Sequence, residues 1–119
     1  MLQASLAFTC RFQECHVLTL SPSGTVNDHL VLHPLLDTGN FIIRAIWLPA
    51  SQTQLAVVTA DFVKIYDLAV DAISPQYFFL LPNGKVRDVT FIWKDEIEYM
   101  VLISSNGTLA LLKTWSINI

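Results

Sequence analysis

Short runs rich in Val, Ile, Thr and aromatic residues alternate with brief polar breaks along the chain. Such runs suit a pleated surface and read as strands joined by tight turns. The pattern also repeats. Ile43-Arg44-Ala45-Ile46-Trp47-Leu48 leads through a polar turn, Ala50 to Gln54, into Leu55-Ala56-Val57-Val58-Thr59. Ala60-Asp61 and Val63-Lys64-Ile65-Tyr66-Asp67-Leu68 follow. The second copy runs from Val86-Arg87-Asp88-Val89-Thr90-Phe91 through a polar turn around Lys94 to Glu98 into Met100-Val101-Leu102-Ile103-Ser104. It continues with Ser105-Asn106-Gly107-Thr108 and Leu109-Ala110-Leu111-Leu112. Arg44 aligns with Arg87, 43 residues on, and Val63 with Leu109, 46 residues on. A weaker copy precedes both: Val17 to Leu20, the turn Ser21-Pro22-Ser23-Gly24, then Thr25-Val26 and Leu30-Val31-Leu32.

Asn106-Gly107 and Ser23-Gly24 supply the positive φ that hairpin turns require. In Val63 to Asp67 the apolar residues alternate, which predicts one buried and one wet face. Asp71 to Gln76 reads as a turn, and Tyr77-Phe78-Phe79-Leu80-Leu81 as an outer strand ended by Pro82-Asn83-Gly84. Its unbroken apolar character is unusual for an edge and implies cover by a neighbouring domain. A period of about 40–45 residues with several strands per unit is a signature of propeller blades. Thr59 to Leu68 is similar to the blade-closing stretch of WD40 repeats, with Tyr66-Asp67 where Trp-Asp usually stands and Pro49 at the hairpin position. The Gly-His pair that usually opens such a blade is absent. The expected fold is all-β: a partial WD40-like β-propeller of two to three blades of antiparallel strands, spanning approximately 1–39, 40–82 and 83–119. A small β-sandwich is the competing arrangement. At about 42 residues per blade, 119 residues fall short of the roughly 4–8 blades that close a propeller. The expectation is therefore a segment completed by further chain, and the end at Ile119, soon after an apolar run, agrees with it.

Composition narrows the function classes. Hydrophobic residues make up 53% and charged residues 14%, with a net charge of -3. That balance excludes intrinsic disorder and argues against a nucleic-acid partner, which needs clustered Lys and Arg. No stretch approaches the ~20 apolar residues that span a bilayer. Met1 to Cys10 carries no Lys or Arg and does not read as a signal peptide. Two cysteines are too few for a disulfide framework, so the expected setting is reducing and intracellular.

Candidate chemistry is sparse. Cys10, Cys15, His29 and His33 have the spacing C-x4-C-x13-H-x3-H, near a zinc-finger pattern, and make a small zinc-binding module the alternative function. The helix that would carry the two histidines contains Pro22 and Gly24 and ends at Pro34, which opposes that reading. The competing account is two thiols and two ordinary histidines on β structure. No G-x-S-x-G, P-loop or G-x-G-x-x-G occurs, so no catalytic, cofactor-binding or metal residue is assigned. Asp95, Glu96 and Glu98 form an acidic cluster with the character of a solvated hairpin loop more than of an acid–base pair. Asn106-Gly107-Thr108 fits a glycosylation sequon and, more simply, a turn. Ser21-Pro22 and Ser74-Pro75 fit proline-directed phosphorylation and, more simply, plain turns. Arg44 and Arg87 invite a binding role, against pairing with a local carboxylate such as Asp88.

Longer strings carry a resemblance. Phe41 to Pro49, Ser51 to Leu55, Val58 to Leu68, Val70-Asp71-Ala72, Ser74-Pro75, Phe79 to Pro82 and Val86 to Phe91 resemble the N-terminal half of giant calossin/pushover-type E3 ubiquitin ligases. Cys15 to Pro34 resembles the segment just upstream, so the likeness covers about Cys15 to Phe91. The resemblance implies a non-catalytic scaffold segment of a cytoplasmic ubiquitin ligase of the N-degron pathway. Its zinc-binding UBR box and ligase module would lie elsewhere, because no position here matches those motifs. Implied partners are the remaining blades and domains of the parent, substrate proteins and calmodulin.

Overall fold

The computed structural model describes residues 5–11, 13–49, 51, 53–71, 73–81 and 84–113. The turn positions Ala50, Gln52, Ala72, Pro82 and Asn83, and both Met1 and Ile119, lie outside the described residues. Among the described residues ten strands occur, in chain order: β1 Ser5–Arg11, β2 Glu14–Leu20, β3 Val26–Leu32, β4 Ile42–Trp47, β5 Gln54–Thr59, β6 Val63–Asp67, β7 Tyr77–Phe79, β8 Val86–Lys94, β9 Ile97–Ser104 and β10 Leu109–Lys113. They form three antiparallel sheets, ordered β1-β2-β3, β4-β5-β6-β7 and β10-β9-β8. The fold is all-β, as its alternating runs predict. Among the described residues no helix is long and apolar enough to cross a membrane.

The four-stranded sheet is the middle layer. Leu55, Val57 and Tyr66 project from one of its faces into a core shared with Cys15, Val17 and Leu32 of the first sheet. Ala56, Val58, Val63 and Ile65 project from the other face onto Val86, Val89, Met100 and Leu102 of the third. All six residues of β5 are buried in consequence. A strand covered on both faces needs an unbroken apolar run, which Leu55-Ala56-Val57-Val58 supplies. The face of β6 expected to be wet is only partly so, with Lys64 half-buried on it. Tyr66 is buried because the first sheet covers that side.

β7 is the edge strand that Tyr77 to Leu81 predicts, and its apolar run resolves into two faces. Tyr77 and Phe79 pack on the core between the second and third sheets. Phe78 turns outward, with its ring 5.6 Å from that of Phe62. Lys64 sits over both rings and donates from Nζ to the Pro34 carbonyl at 2.5 Å, tying the β3–β4 connection to the second sheet. The second and third sheets are linked where Lys85 pairs with Asp61 at 2.5 Å and the Val86 N–H donates to the Ala60 carbonyl.

The register refines the repeat. A β-bulge interrupts β4–β5 between Ile42 and Arg44, and another interrupts β8–β9 between Val86 and Asp88. Arg44 faces Val58 while Asp88 faces Ile103, so the structural counterpart of Arg44 is Asp88 and not Arg87. A recurrent hydroxyl marks all three sheets. Ser21, Thr59 and Ser104 each accept, through the side-chain oxygen, a backbone N–H from across the following turn: Thr25, Phe62 and Thr108, at 3.1, 3.2 and 3.1 Å.

The β8–β9 turn is tighter than expected. Lys94 pairs directly with Ile97, leaving Asp95 and Glu96 as a two-residue loop with φ of 52° and 63°. Positive φ at both central positions is the demand of a type I′ turn, which favours Asn-Gly. Glu96→Gly is therefore expected to raise stability by about 0.5–1 kcal/mol, read as a higher urea midpoint at unchanged slope.

Candidate functional site

The residues of the proposed zinc pattern do not converge. Cys10 and Cys15 are directly opposite in the β1–β2 hairpin, with Sγ atoms 2.9 Å apart on the face that packs against the second sheet. His29 lies on the other face of the same sheet, paired through Nε2 with His16 Nδ1 at 2.7 Å. His33 lies beyond the end of β3, exposed on an open cavity of about 680 Å³ bordered by Arg11, Glu14 and Asn40. The opposite directions of alternate side chains thus separate the thiols from His29 by the thickness of a sheet. Among the described residues no group of three or more His, Cys, Asp or Glu is arranged to hold a metal ion.

Sequence reasoning missed a polar chain on the outer face of the first sheet. His16 donates from Nε2 to Glu14 Oε1 at 2.9 Å, which leaves its Nδ1 to accept from His29 Nε2. The imidazole rings stack with centroids 5.0 Å apart. The hydrogen bond from His16 holds the Glu14 carboxyl below its ordinary range. Positions 14 and 16 share a strand face by spacing, but the approach of His29 follows only from the β2–β3 register.

Other candidates take structural places. Arg44 pairs with Asp88 at 3.2 Å and reaches the Val89 carbonyl at 3.4 Å, in an exposed bridge between the second and third sheets. Such a bridge contributes at most about 1 kcal/mol. Arg87 is exposed at the bulge. The acidic cluster divides, with Asp95 and Glu96 in the exposed turn and Glu98 buried within β9. Ser21 secures its turn, and Asn106 Oδ1 accepts from the Thr108 N–H and hydroxyl at 3.2 and 2.8 Å. Ser74 is exposed in the β6–β7 connection, its N–H donating to Asp71 Oδ1 at 3.3 Å.

The feature with the clearest capacity for function is the outward face of the third sheet. Register matches it position by position with the covered face of the second. Leu48, Ala56, Val58, Val63 and Ile65 correspond to Ile92, Val101, Ile103, Leu109 and Leu111. The first set is buried beneath the third sheet. In the second set every position is apolar as well: Ile92, Leu109 and Leu111 are 39%, 62% and 53% exposed, Ile103 is half-buried and Val101 buried, while Ile46 of the covered face has the polar counterpart Thr90. An apolar sheet face of this kind is suited to receiving another sheet about 10 Å away.

Curated relatives place the chain. Protein purity of essence of Drosophila pseudoobscura pseudoobscura is 55% identical over 102 residues, 82% of this chain. The chain belongs to the calossin/pushover-type family of giant proteins. Auxin transport protein BIG of rice is 40% identical over 98 residues. A probable E3 ubiquitin-protein ligase of Dictyostelium discoideum is 35% identical over 101 residues. Both matches again cover 82% of the chain. The chain spans about 2% of the length of each of these giant relatives. No protein-family model matches it.

Proposed function

We propose that the chain is a sector of a WD40-like propeller that serves as a rigid, non-catalytic interaction scaffold in a giant cytoplasmic ubiquitin ligase of the N-degron pathway. One observation carries the reading. Most of the face that the second sheet buries under the third recurs as apolar positions on the third sheet, where Ile92, Leu109 and Leu111 are exposed. A structure that stacks sheets by repetition ends on such a face only where another sheet follows, because exposed apolar sheet surface invites association. The next sheet of the wheel is the partner assigned to this face. The ligase setting draws its support from the Dictyostelium relative, which bears the name of a probable E3 ubiquitin-protein ligase. The family resemblance supplies the N-degron assignment and puts the zinc-binding UBR box and ligase module in other parts of the parent. Substrate proteins and calmodulin would meet loops or domains on this frame, since propellers bind through loops held by rigid sheets.

Dye binding tests the open face. The isolated chain should enhance the fluorescence of a hydrophobic dye and self-associate. The Leu109→Glu/Leu111→Glu variant should lower the dye signal several-fold while the circular dichroism stays that of β-sheet. A monomer that binds no dye and unfolds in one cooperative step would refute the assignment.

A further inference from the structure

Cys10 and Cys15 are not used by the scaffold reading, and their placement has its own chemistry. They face each other one register step inside the pair Arg11–Glu14 that closes the first hairpin. Directly opposed residues of an antiparallel ladder have Cα atoms about 4.5–5.5 Å apart. That span lies inside the roughly 4.4–6.8 Å range of disulfide-bonded cysteines. The two Sγ atoms, at 2.9 Å, need to close by only about 0.9 Å to reach bonding distance. Both side chains belong to the core between the first and second sheets, where Val17, Leu32 and Tyr66 confine them to one face. Their environments are unequal. Cys15 is fully buried, whereas Cys10 is half-buried and open to a small reagent.

We propose that Cys10 and Cys15 form a redox-active dithiol, which a small disulfide such as oxidised glutathione converts reversibly into a cross-strand disulfide. Cys10 is the entry thiol. The hydrogen bond to Cys15 holds the Cys10 thiol below its ordinary pKa, and the same contact together with burial pushes that of Cys15 up. The half-exposed sulfur is thus the more readily ionised one, and Cys15 keeps its proton. The Cys10 thiolate attacks one sulfur of glutathione disulfide, whose S–S bond breaks and releases one glutathione thiolate. Cys15 then attacks the Cys10 sulfur of the mixed disulfide, its proton passing to the released thiolate or to solvent, and the second glutathione leaves. The protein gives up two protons and two electrons, and glutathione disulfide becomes two glutathione molecules. The new bond latches β1, an edge strand of the first sheet, to β2. A short cross-strand link that is partly exposed belongs with the labile disulfides more than with the inert structural ones.

Mass spectrometry after acid quenching and alkylation provides the test. The natively purified protein is equilibrated in glutathione buffers of graded ratio, beside the same protein in concentrated urea. A single Cys10–Cys15 disulfide should form, revert on addition of reduced glutathione, and form at least ten-fold faster in the native protein than in urea. The Cys15→Ala variant should accumulate glutathione on Cys10, and its Cys10 alkylation profile should move to higher pH because the hydrogen-bond donor is gone. Equal rates in native and urea-treated protein would overturn the proposal. So would absence of the disulfide in the most oxidising buffer, or glutathionylation of Cys15 in Cys10→Ala as fast as that of Cys10 in Cys15→Ala.

Discussion

Ile65→Ala is expected to destabilise the protein by about 2–5 kcal/mol, while Leu111→Ala, at the matching position of the third sheet, costs no more than about 0.5 kcal/mol. The two positions are equivalent by register, since Ile65 faces Ala56 and Leu111 faces Val101. Ile65 is fully buried between the second and third sheets. Truncating it removes apolar contact and leaves a cavity that neighbouring strands fill only in part. Leu111 is 53% exposed, so truncation withdraws little from the core. Urea titrations of the two variants provide the comparison. In a protein whose third sheet is covered by another, the difference should vanish, with both substitutions costing a few kcal/mol. A Leu111→Ala cost as large as that of Ile65→Ala in the isolated chain would contradict the open face.

A loss of stability in alkali should come next in size, and it should depend on Tyr66. Burial, with a smaller contribution from nearby Cys15, pushes the Tyr66 phenol up to about 12. In the unfolded chain it titrates near 10. The folded state therefore binds the phenolic proton more tightly. The associated stability is complete below about pH 10 and is lost as pH rises through about 12, to an extent of about 2–3 kcal/mol. Tyr66→Phe should remove this step from the stability–pH curve. Other groups titrate in the same range, so the diagnostic quantity is the difference between the two proteins, measured by urea midpoints from about pH 8 upward. Parallel curves would show that Tyr66 does not titrate differently on folding.

Much of the secondary structure was legible. Leu55 to Thr59, Val63 to Asp67 and Met100 to Ser104 are strands because β-branched and aromatic runs are bounded by turn residues. The hydroxyls of Thr59 and Ser104 already stand in the aligned copies, and Ser21 in the weak one. β1 has no aligned partner in the repeat; its short alternation of Leu6, Phe8 and Cys10 faces the core, and its place in the sheet depends on pairing with β2. Gln54 and Glu98 have the polarity of turn residues, whereas both are buried in strands. Both copies carry the bulge at the same place, so it does not shift one against the other; matching like residues pairs Arg44 with Arg87, whereas strand pairing makes Asp88 the counterpart of Arg44, which bears the opposite charge and forms an ion pair with it.

The candidate sites divide in the same way. Cysteine and histidine spacing along the chain implied a cluster, but a two-residue alternation puts the thiols and His29 on opposite faces. The dithiol and the Glu14–His16–His29 chain emerge only from pairing between strands.

By itself the sequence determined the β class, the repeating unit, the main turn positions and the family, because each is encoded in residues near one another or in long continuous strings. Only the tertiary structure decided which face of each strand meets which sheet, that the second sheet is covered on both sides, and that the third is left open. Ile65 and Leu111 illustrate the reason. Their local surroundings are alike, and what separates a buried side chain from an exposed one is whether a distant part of the polypeptide lies against it.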